Sequence, residues 1–161
     1  MEKENNLDFL KKEYEKIQKK HHLPSFNEIN EDFSIEKIDS EEIELLIREV
    51  RKFIGDKLSG YMRLTEAILN PMNVQMFVYS LIKSLSPSDK DKLKEIYKEL
   101  SKLELRFIEL DIQYSEEKEA TFIKDAFSNW QKMKKDLLEI LENANKNWNT
   151  KIKPNSKDYF G

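Results

Sequence analysis

The chain contains no cysteine among its 161 residues. This absence excludes disulfide bonds, thiolate metal sites and cysteine nucleophiles, and it fits a reducing compartment. Glycine and proline are scarce, with three and four residues respectively. Strand-rich folds need many more turns than these residues mark, so the composition predicts an all-α fold. Residues 1–16 carry acids throughout and resemble neither a secretory signal nor a transit peptide, so we expect a cytoplasmic protein.

The chain also lacks the residue sets that carry common catalytic chemistry. His21 and His22 are the only histidines. Adjacent residues on a helix point about 100° apart and do not chelate one metal together, so we interpret both as capping or solvent-facing residues at a helix end. The "GDKLSG" at 55–60 continues with Tyr61 instead of a P-loop lysine. The sequence therefore predicts no catalytic residue, no metal site and no cofactor, and favours a protein that is not an enzyme.

Arginine is rare as well, with four of the 28 basic residues. Because arginine supplies the bidentate contacts to phosphates and base edges, nucleic-acid binding is disfavoured. The net charge of −3 gives no strong attraction for polyanions. Trp130 and Trp148 lie among lysines, but both fall on an apolar helical seam, where core packing explains them.

Carboxylates are abundant between residues 28 and 49, which form an acidic strip. Paired carboxylates facing each other from two helices are able to hold magnesium, as in helical nucleotide hydrolases. We interpret the strip as a solvated face, because a run of charge usually faces water. The pairs with suitable local spacing are Glu28 and Glu31, Glu36 and Asp39, and Glu41 and Glu44.

Apolar periodicity predicts three long amphipathic helices, near 41–69, 88–114 and 116–148. Shorter helices are predicted over 4–21 and after a capping box formed by Ser25 and Glu28. The first long helix is expected to have Asp39 or Ser40 as its N-cap, and Ser86 with Pro87 marks the start of the second. The last two helices form either an antiparallel hairpin or one continuous rod. We expect a single domain over 1–149 and an extended or loose tail over 150–161.

Two glycines, Gly55 and Gly60, fall inside the first long helix. Each costs about 1 kcal/mol relative to alanine in a helix interior. We therefore expect a close helix contact at both positions, in preference to a kink.

Residues 67–82 contain no charged side chain, although 37% of the chain is Asp, Glu, Lys or Arg. Such a stretch is a membrane anchor, a surface for a partner or the middle of a core. A membrane span needs about 20 apolar residues, and this stretch is shorter and interrupted by polar residues. Its apolar positions surround most of a helix over 72–85, so we predict that this helix is buried on every side among the three long ones.

Two classes of function remain open. The first is a non-enzymatic interaction or scaffold module that binds a protein partner or associates with itself, for example as a homodimer. The alternative is a small-ligand-binding protein or a carboxylate- and magnesium-dependent enzyme with a pocket between the long helices. The candidate pocket residues are Tyr61, Met72, Met76 and Tyr79.

Overall fold

The computed structural model describes residues 2–39 and 45–151, and over these ranges the chain is helical without β-strands, as the composition predicts. A 3₁₀ turn follows the second helix at Ile35–Lys37. The helices are α1 (Glu2–His21), α2 (Phe26–Phe33), α3 (Leu46–Leu69), α4 (Met76–Ser84), α5 (Pro87–Ile112) and α6 (Glu116–Lys151). The α3 helix begins at Leu46 with Leu45 in the cap position and no side-chain cap, so the predicted N-cap at Asp39 or Ser40 is wrong for this helix; residues 40–44 lie outside the described ranges. The same holds for residues 152–161 of the predicted tail, while α6 itself continues to Lys151.

The three long helices α3, α5 and α6 pack against one another. Residues later in α3 contact residues later in α6, since Arg51 binds Glu119 and Tyr61 packs on Trp130. These two helices are therefore parallel. The α5 helix runs in the opposite direction beside them, and the buried leucines and isoleucines of all three form one continuous core.

The helices α5 and α6 form an antiparallel hairpin, which decides between the two possibilities left open by the sequence. The α5 helix ends at the cap residue Gln113, and the Ser115 carbonyl accepts the Glu119 N–H at the start of α6. Three ion pairs connect the two helices, and one of them joins Lys118 to Glu109 near the turn. The Arg106 guanidinium is 2.9 Å from the Asp125 carboxylate, and the Lys92 ammonium is 2.7 Å from that of Glu139.

The predicted start signals of α2 and α5 are confirmed. Ser25 and Glu28 form a reciprocal capping box at α2. Ser86 and Asp89 form the equivalent box at α5, where Pro87 occupies the first turn. Asn143 also donates to the Asp89 carboxylate, at 3.1 Å, so this cap is tied to α6.

The short helix α2 lies between α3 and α6 and covers part of the groove that separates them. Its apolar face, Phe26, Ile29 and Phe33, is buried, and the Phe33 ring lies 6.1 Å from that of Trp130. Ser34 then adopts a left-handed conformation with φ of 54°, and the chain leads back towards the start of α3. The remainder of the groove, towards the end of α3, is not covered by this segment.

The two glycines of α3 differ in their surroundings. A Cβ atom at Gly55 would overlap the ring of Phe107, so the expected close contact with α5 is confirmed there. A Cβ atom at Gly60 would meet nothing within 4 Å, so the expected contact at Gly60 is wrong for the isolated chain. Among the described residues, the cost of a helical glycine thus has a packing reason at position 55 and none at position 60.

Candidate interaction surface

The predicted helix over 72–85 is exposed along its outer face, so the prediction that it is buried on every side is wrong. The helix also begins at Met76 instead of Met72, because the preceding residues are irregular and Asn73 has a φ of 55°. Only one face of α4 is inward, through Leu81 and Leu85, since the helix packs on α6 and α3 from one side. The exposed fractions of its outer residues are 77% for Met72, 80% for Met76, 63% for Phe77 and 48% for Tyr79.

The four predicted pocket residues do not form a pocket together. Tyr61 is half-buried and packs on Trp130, with 4.9 Å between the ring centroids. Met72 and Met76 are exposed to solvent, and the Tyr79 ring lies 4.5 Å from the Lys83 ammonium. Met72, Met76 and Tyr79 are exposed, and so is Phe77. We call these four residues the α4 patch.

The groove between α3 and α6 stays open beyond α2. Leu64 and Gly60 are exposed on α3, and on α6 the exposed fractions are 59% for Leu138 and 52% for Leu141. We call these four residues the open groove. Leu141 falls at the same helical spacing as the buried Trp130 and Ala144, but the contacts of α2 with α6 reach only as far as Lys134. The sequence shows the apolar seam of α6 but does not show that α2 covers only part of it.

A small apolar cavity of about 60 Å³ lies beneath the open groove. It is lined by side chains of α3, α4, α5 and α6, including Tyr61, Leu64, Leu81, Leu93 and Leu141. A volume of this size corresponds to about two water molecules, but so apolar a lining offers a water too few polar partners. The cavity is therefore suited to a few methyl or methylene groups.

The open groove leads towards the α4 patch. Leu141 and Trp148 are seven residues apart and share one face of α6. The Trp148 ring lies 6.0 Å from the ring of Phe77 on α4. The groove, its cavity and the α4 patch thus form one neighbouring set of apolar groups at one end of the bundle.

Asp32 ties α2 to the covered part of the groove. Its carboxylate, almost completely buried, accepts hydrogen bonds from Lys134 at 2.6 Å and from Gln131 at 2.7 Å. Lys57 donates to the Asp32 carbonyl and lies over the rings of Phe33 and Trp130. Burial alone would raise the pKa of Asp32, but the hydrogen bonds outweigh burial and lower the pKa. Lys134, which lies among apolar positions of α6, is thus paired with a buried acid.

A second polar cluster centres on Arg51, which is completely buried. Its guanidinium binds Glu119, also completely buried, at 2.8 Å and Asp111 at 2.7 Å. It lies 4.8 Å from the centroid of the Phe107 ring. Burial raises the pKa of Glu119, and the hydrogen bonds from Arg51 oppose this shift. The sequence contained no signal for this cluster, because exposed and buried arginines look alike in a single helical pattern.

Two of the residues considered for chemistry, His21 and Glu28, have structural partners within the described chain, while Glu41 and Glu44 lie outside the described ranges. The His21 ring nitrogen lies 2.7 Å from Glu116, and His22 ends α1 in a left-handed conformation. Glu28 of the acidic strip is occupied by its cap. Among the residues that the structure describes, no group of three or more His, Cys, Asp and Glu side chains is placed to hold a metal ion. Within the same part of the chain, no helix has the length and apolarity required to cross a membrane.

Two other surface features are candidates for a contact site. A wider groove of about 820 Å³ between α5 and α6 is rimmed by charged residues such as Asp91 and Lys132, and Asp91 pairs with Lys94 along α5. Three exposed aliphatic residues, Leu105, Ile108 and Ile112, form a stripe on α5. Neither feature combines aromatic residues, methionine and a cavity as the α3, α4 and α6 surface does.

Comparisons with known proteins give no match for this chain. No protein-family model matches it, and searches of curated proteins and of solved structures find no significant similarity. The indications of function therefore come from the surface itself.

Proposed function

We propose that this chain is a non-enzymatic helical interaction module that binds a helix of another protein through the open groove and the α4 patch. The observation that carries the proposal is the exposure of the uncharged segment, above all of Met76 and Phe77. Large exposed apolar groups cost solubility, and a contiguous patch of them marks a site of contact.

The composition of the patch supports a protein partner. Methionine and aromatic residues are enriched and charged residues depleted in the centres of protein interfaces. The segment from Ala67 to Ile82 has no charge at all, and it presents Met72, Met76, Phe77 and Tyr79 to solvent. Methionine side chains also adapt to irregular partner surfaces.

The ligand-binding and enzymatic alternative has weaker support. Pockets for small molecules have volumes of about 300–1,000 Å³ and are mostly enclosed and apolar. The enclosed apolar cavity under the open groove measures only about 60 Å³. The larger groove between α5 and α6 is open and lined mainly by charged and polar side chains such as Glu95 and Lys92.

The test compares two single substitutions at equally exposed apolar positions. Met76→Glu places a charge in the α4 patch, and Ile112→Glu, at a residue that is 83% exposed, places one on the α5 stripe. Both proteins should unfold at the same denaturant concentration as the wild type, because neither side chain is buried. Immobilised wild-type chain and both variants are incubated with lysate of the organism that encodes the chain, and retained proteins are quantified by mass spectrometry.

We expect a protein that is retained by the wild type and by Ile112→Glu and is lost with Met76→Glu. Sedimentation velocity on the purified chain reports self-association, which would replace the other protein with a second copy. A monomer that retains nothing, or retains the same proteins whichever residue is changed, contradicts the proposal.

A further inference from the structure

We propose that Met72 and Met76 form an oxidation-sensitive site, at which a hydroperoxide converts both thioethers to sulfoxides and thereby weakens the partner contact of the α4 patch. This inference rests on the proposed function and adds its regulation. It is carried by the exposure of these two side chains, by the packing of α4 through other residues, and by the burial of the methionine that belongs to the core.

Sulfur occurs in this chain only in methionine, since the sequence has five methionines and no cysteine. A hydroperoxide that would attack a cysteine thiolate in many proteins therefore meets only thioethers here. Met72 and Met76 are 77% and 80% exposed, whereas Met62 is half-buried against the core and Met133 is only 5% exposed. Because oxidation follows exposure, the two methionines of the α4 patch react first among the described residues.

The reaction is a transfer of one oxygen atom. The lone pair of the methionine sulfur attacks an oxygen of the hydroperoxide, the O–O bond breaks, and a sulfur–oxygen bond forms. The sulfur loses two electrons, and the second peroxide oxygen leaves with the proton as water or as an alcohol. The apolar thioether is replaced by a polar, chiral sulfoxide. Methionine sulfoxide reductases reverse this step with a dithiol, which becomes a disulfide while the oxygen leaves as water.

The fold of the free chain does not depend on either of these side chains. Met76 is the first residue of α4 and Met72 precedes the helix, while the inward contacts of this segment are made by Leu81 and Leu85. At such exposure a sulfoxide oxygen is hydrated, so the reaction buries no polar group in the free chain. We therefore expect the oxidised chain to be as stable as the reduced one.

The bound state responds differently. A partner that covers the α4 patch removes Met72 and Met76 from water, and both are then part of an apolar contact. A sulfoxide oxygen is a hydrogen-bond acceptor, and its burial against an apolar surface costs free energy unless a donor accompanies it. Oxidation thus penalises the complex and spares the free chain, which lowers the affinity for the partner.

Met133 illustrates the opposite situation. It is one of the buried residues that form the core along α6, where a sulfoxide would disrupt packing. Its low exposure protects it while the chain is folded. The structure therefore separates two sulfur atoms whose oxidation changes only the surface from one whose oxidation would disturb the core.

The first experiment measures where the chain is oxidised. The purified full chain is treated with hydrogen peroxide at neutral pH, the reaction is stopped with catalase, and peptide mass spectrometry gives the sulfoxide fraction at each methionine over time. We expect Met72 and Met76 to react at least about tenfold faster than Met133, with no change in the circular dichroism melting temperature. Equal rates at the three positions, or a chain that unfolds once Met72 and Met76 are oxidised, would overturn the inference.

The second experiment measures the effect on binding, with the protein that the immobilised wild-type chain retains from lysate. Three chains are compared, each with itself before and after peroxide, which catalase removes before lysate is added. They are the wild type, the double variant with Met72→Leu and Met76→Leu, and Met62→Leu as the matched control outside the α4 patch. Each chain serves as its own reference, so the double variant need not bind as tightly as the wild type.

We expect peroxide to reduce the retained protein about tenfold for the wild type and for Met62→Leu, and to leave the amount unchanged for the double variant. Methionine sulfoxide reductases with dithiothreitol should restore retention by the oxidised wild type. An oxidised wild type that retains as much as before, or a double variant that responds as the wild type does, contradicts the inference. If the double variant retains nothing before peroxide, restoration by the reductases decides, and its failure contradicts the inference.

A failure of this inference is distinguishable from a failure of the proposed function. If Met76→Glu loses the retained protein while the oxidised wild type keeps it, the interaction module stands and the oxidation-sensitive site is wrong. If the untreated wild type retains no protein, the proposed function is wrong, and oxidation has no contact to control.

Discussion

The Arg51 cluster is buried and the α4 patch is exposed, which is the reverse of what their compositions suggest. The charged residue Arg51 is completely buried, while the uncharged segment exposes Met76 at 80%. Arg51 is accommodated because Glu119 and Asp111 satisfy its guanidinium and Phe107 covers it. The α4 helix is exposed because the long helices contact only one of its faces. Burial in this bundle is therefore set by the partners that the fold supplies, and charge alone does not predict it.

The largest expected effect comes from removing the charge that holds the Arg51 cluster together. Arg51→Met leaves the buried Glu119 carboxylate without the guanidinium that donates to it, so we expect a loss of about 3–5 kcal/mol in the free energy of unfolding. Urea denaturation followed by circular dichroism measures this loss. The double variant with Arg51→Met and Glu119→Leu should recover much of it, because the unpaired carboxylate is then removed as well. A loss below about 1 kcal/mol in the single variant would mean that the cluster is more hydrated than its geometry indicates.

The next effect concerns the contact between α3 and α5. Gly55→Ala would place a methyl group in the space of the Phe107 ring. Because the ring must move within a packed core, we expect a loss of about 1–3 kcal/mol in the free energy of unfolding. Gly55→Ala combined with Phe107→Leu is the matched control, since it removes the overlapping ring atoms. An unchanged midpoint of urea denaturation in the single variant would contradict this packing.

Several parts of the fold could be predicted from the sequence because they depend on local chemistry. The capping boxes at Ser25 and Ser86 and the helix phases follow from residues a few positions apart. The burial of α4 depends on which other helices pack against it, and a single sequence does not contain that information. The same limit explains the open groove, where α2 ends at Phe33 and Leu141 remains 52% exposed.

The carboxylate of Asp32 should give the stability a measurable dependence on pH. Its pKa in the folded state is lower than the ordinary value of 3.8, so its contribution is present above about pH 4 and is lost as the pH falls through the folded pKa. We expect Asp32→Asn to lower the free energy of unfolding by about 1–2 kcal/mol at pH 6 and by less at pH 3.

Urea denaturation of the two proteins at a series of pH values measures this difference. Asp89, whose pKa is also lowered, is present in both proteins, so its effect cancels in the comparison. A difference between wild type and Asp32→Asn that stays constant from pH 6 to pH 3 would rule out a lowered pKa as the source of the stabilisation.

The smallest expected effect has the opposite sign and concerns Gly60. Gly60→Ala adds a methyl group that meets nothing within 4 Å and removes the backbone freedom of glycine in the unfolded chain. We expect the free energy of unfolding to rise by about 0.5–1 kcal/mol. Thermal denaturation of Gly60→Ala and Gly55→Ala side by side gives the direct comparison. A destabilised Gly60→Ala variant would show that the groove is closed by part of the chain itself.

The contact of Phe107 with Gly55 has a consequence for how this protein is able to evolve. The ring fits against α3 only where α3 has no side chain, and a shift by one helical turn would bring it against Arg51 or Ser59. The axial alignment of α3 and α5 is thus fixed within the helices and does not depend on residues 70–86, which join them. Mutations in that connecting segment therefore leave the alignment of α3 and α5 unchanged. Selection for recognition is able to alter the α4 patch while the rest of the bundle stays the same.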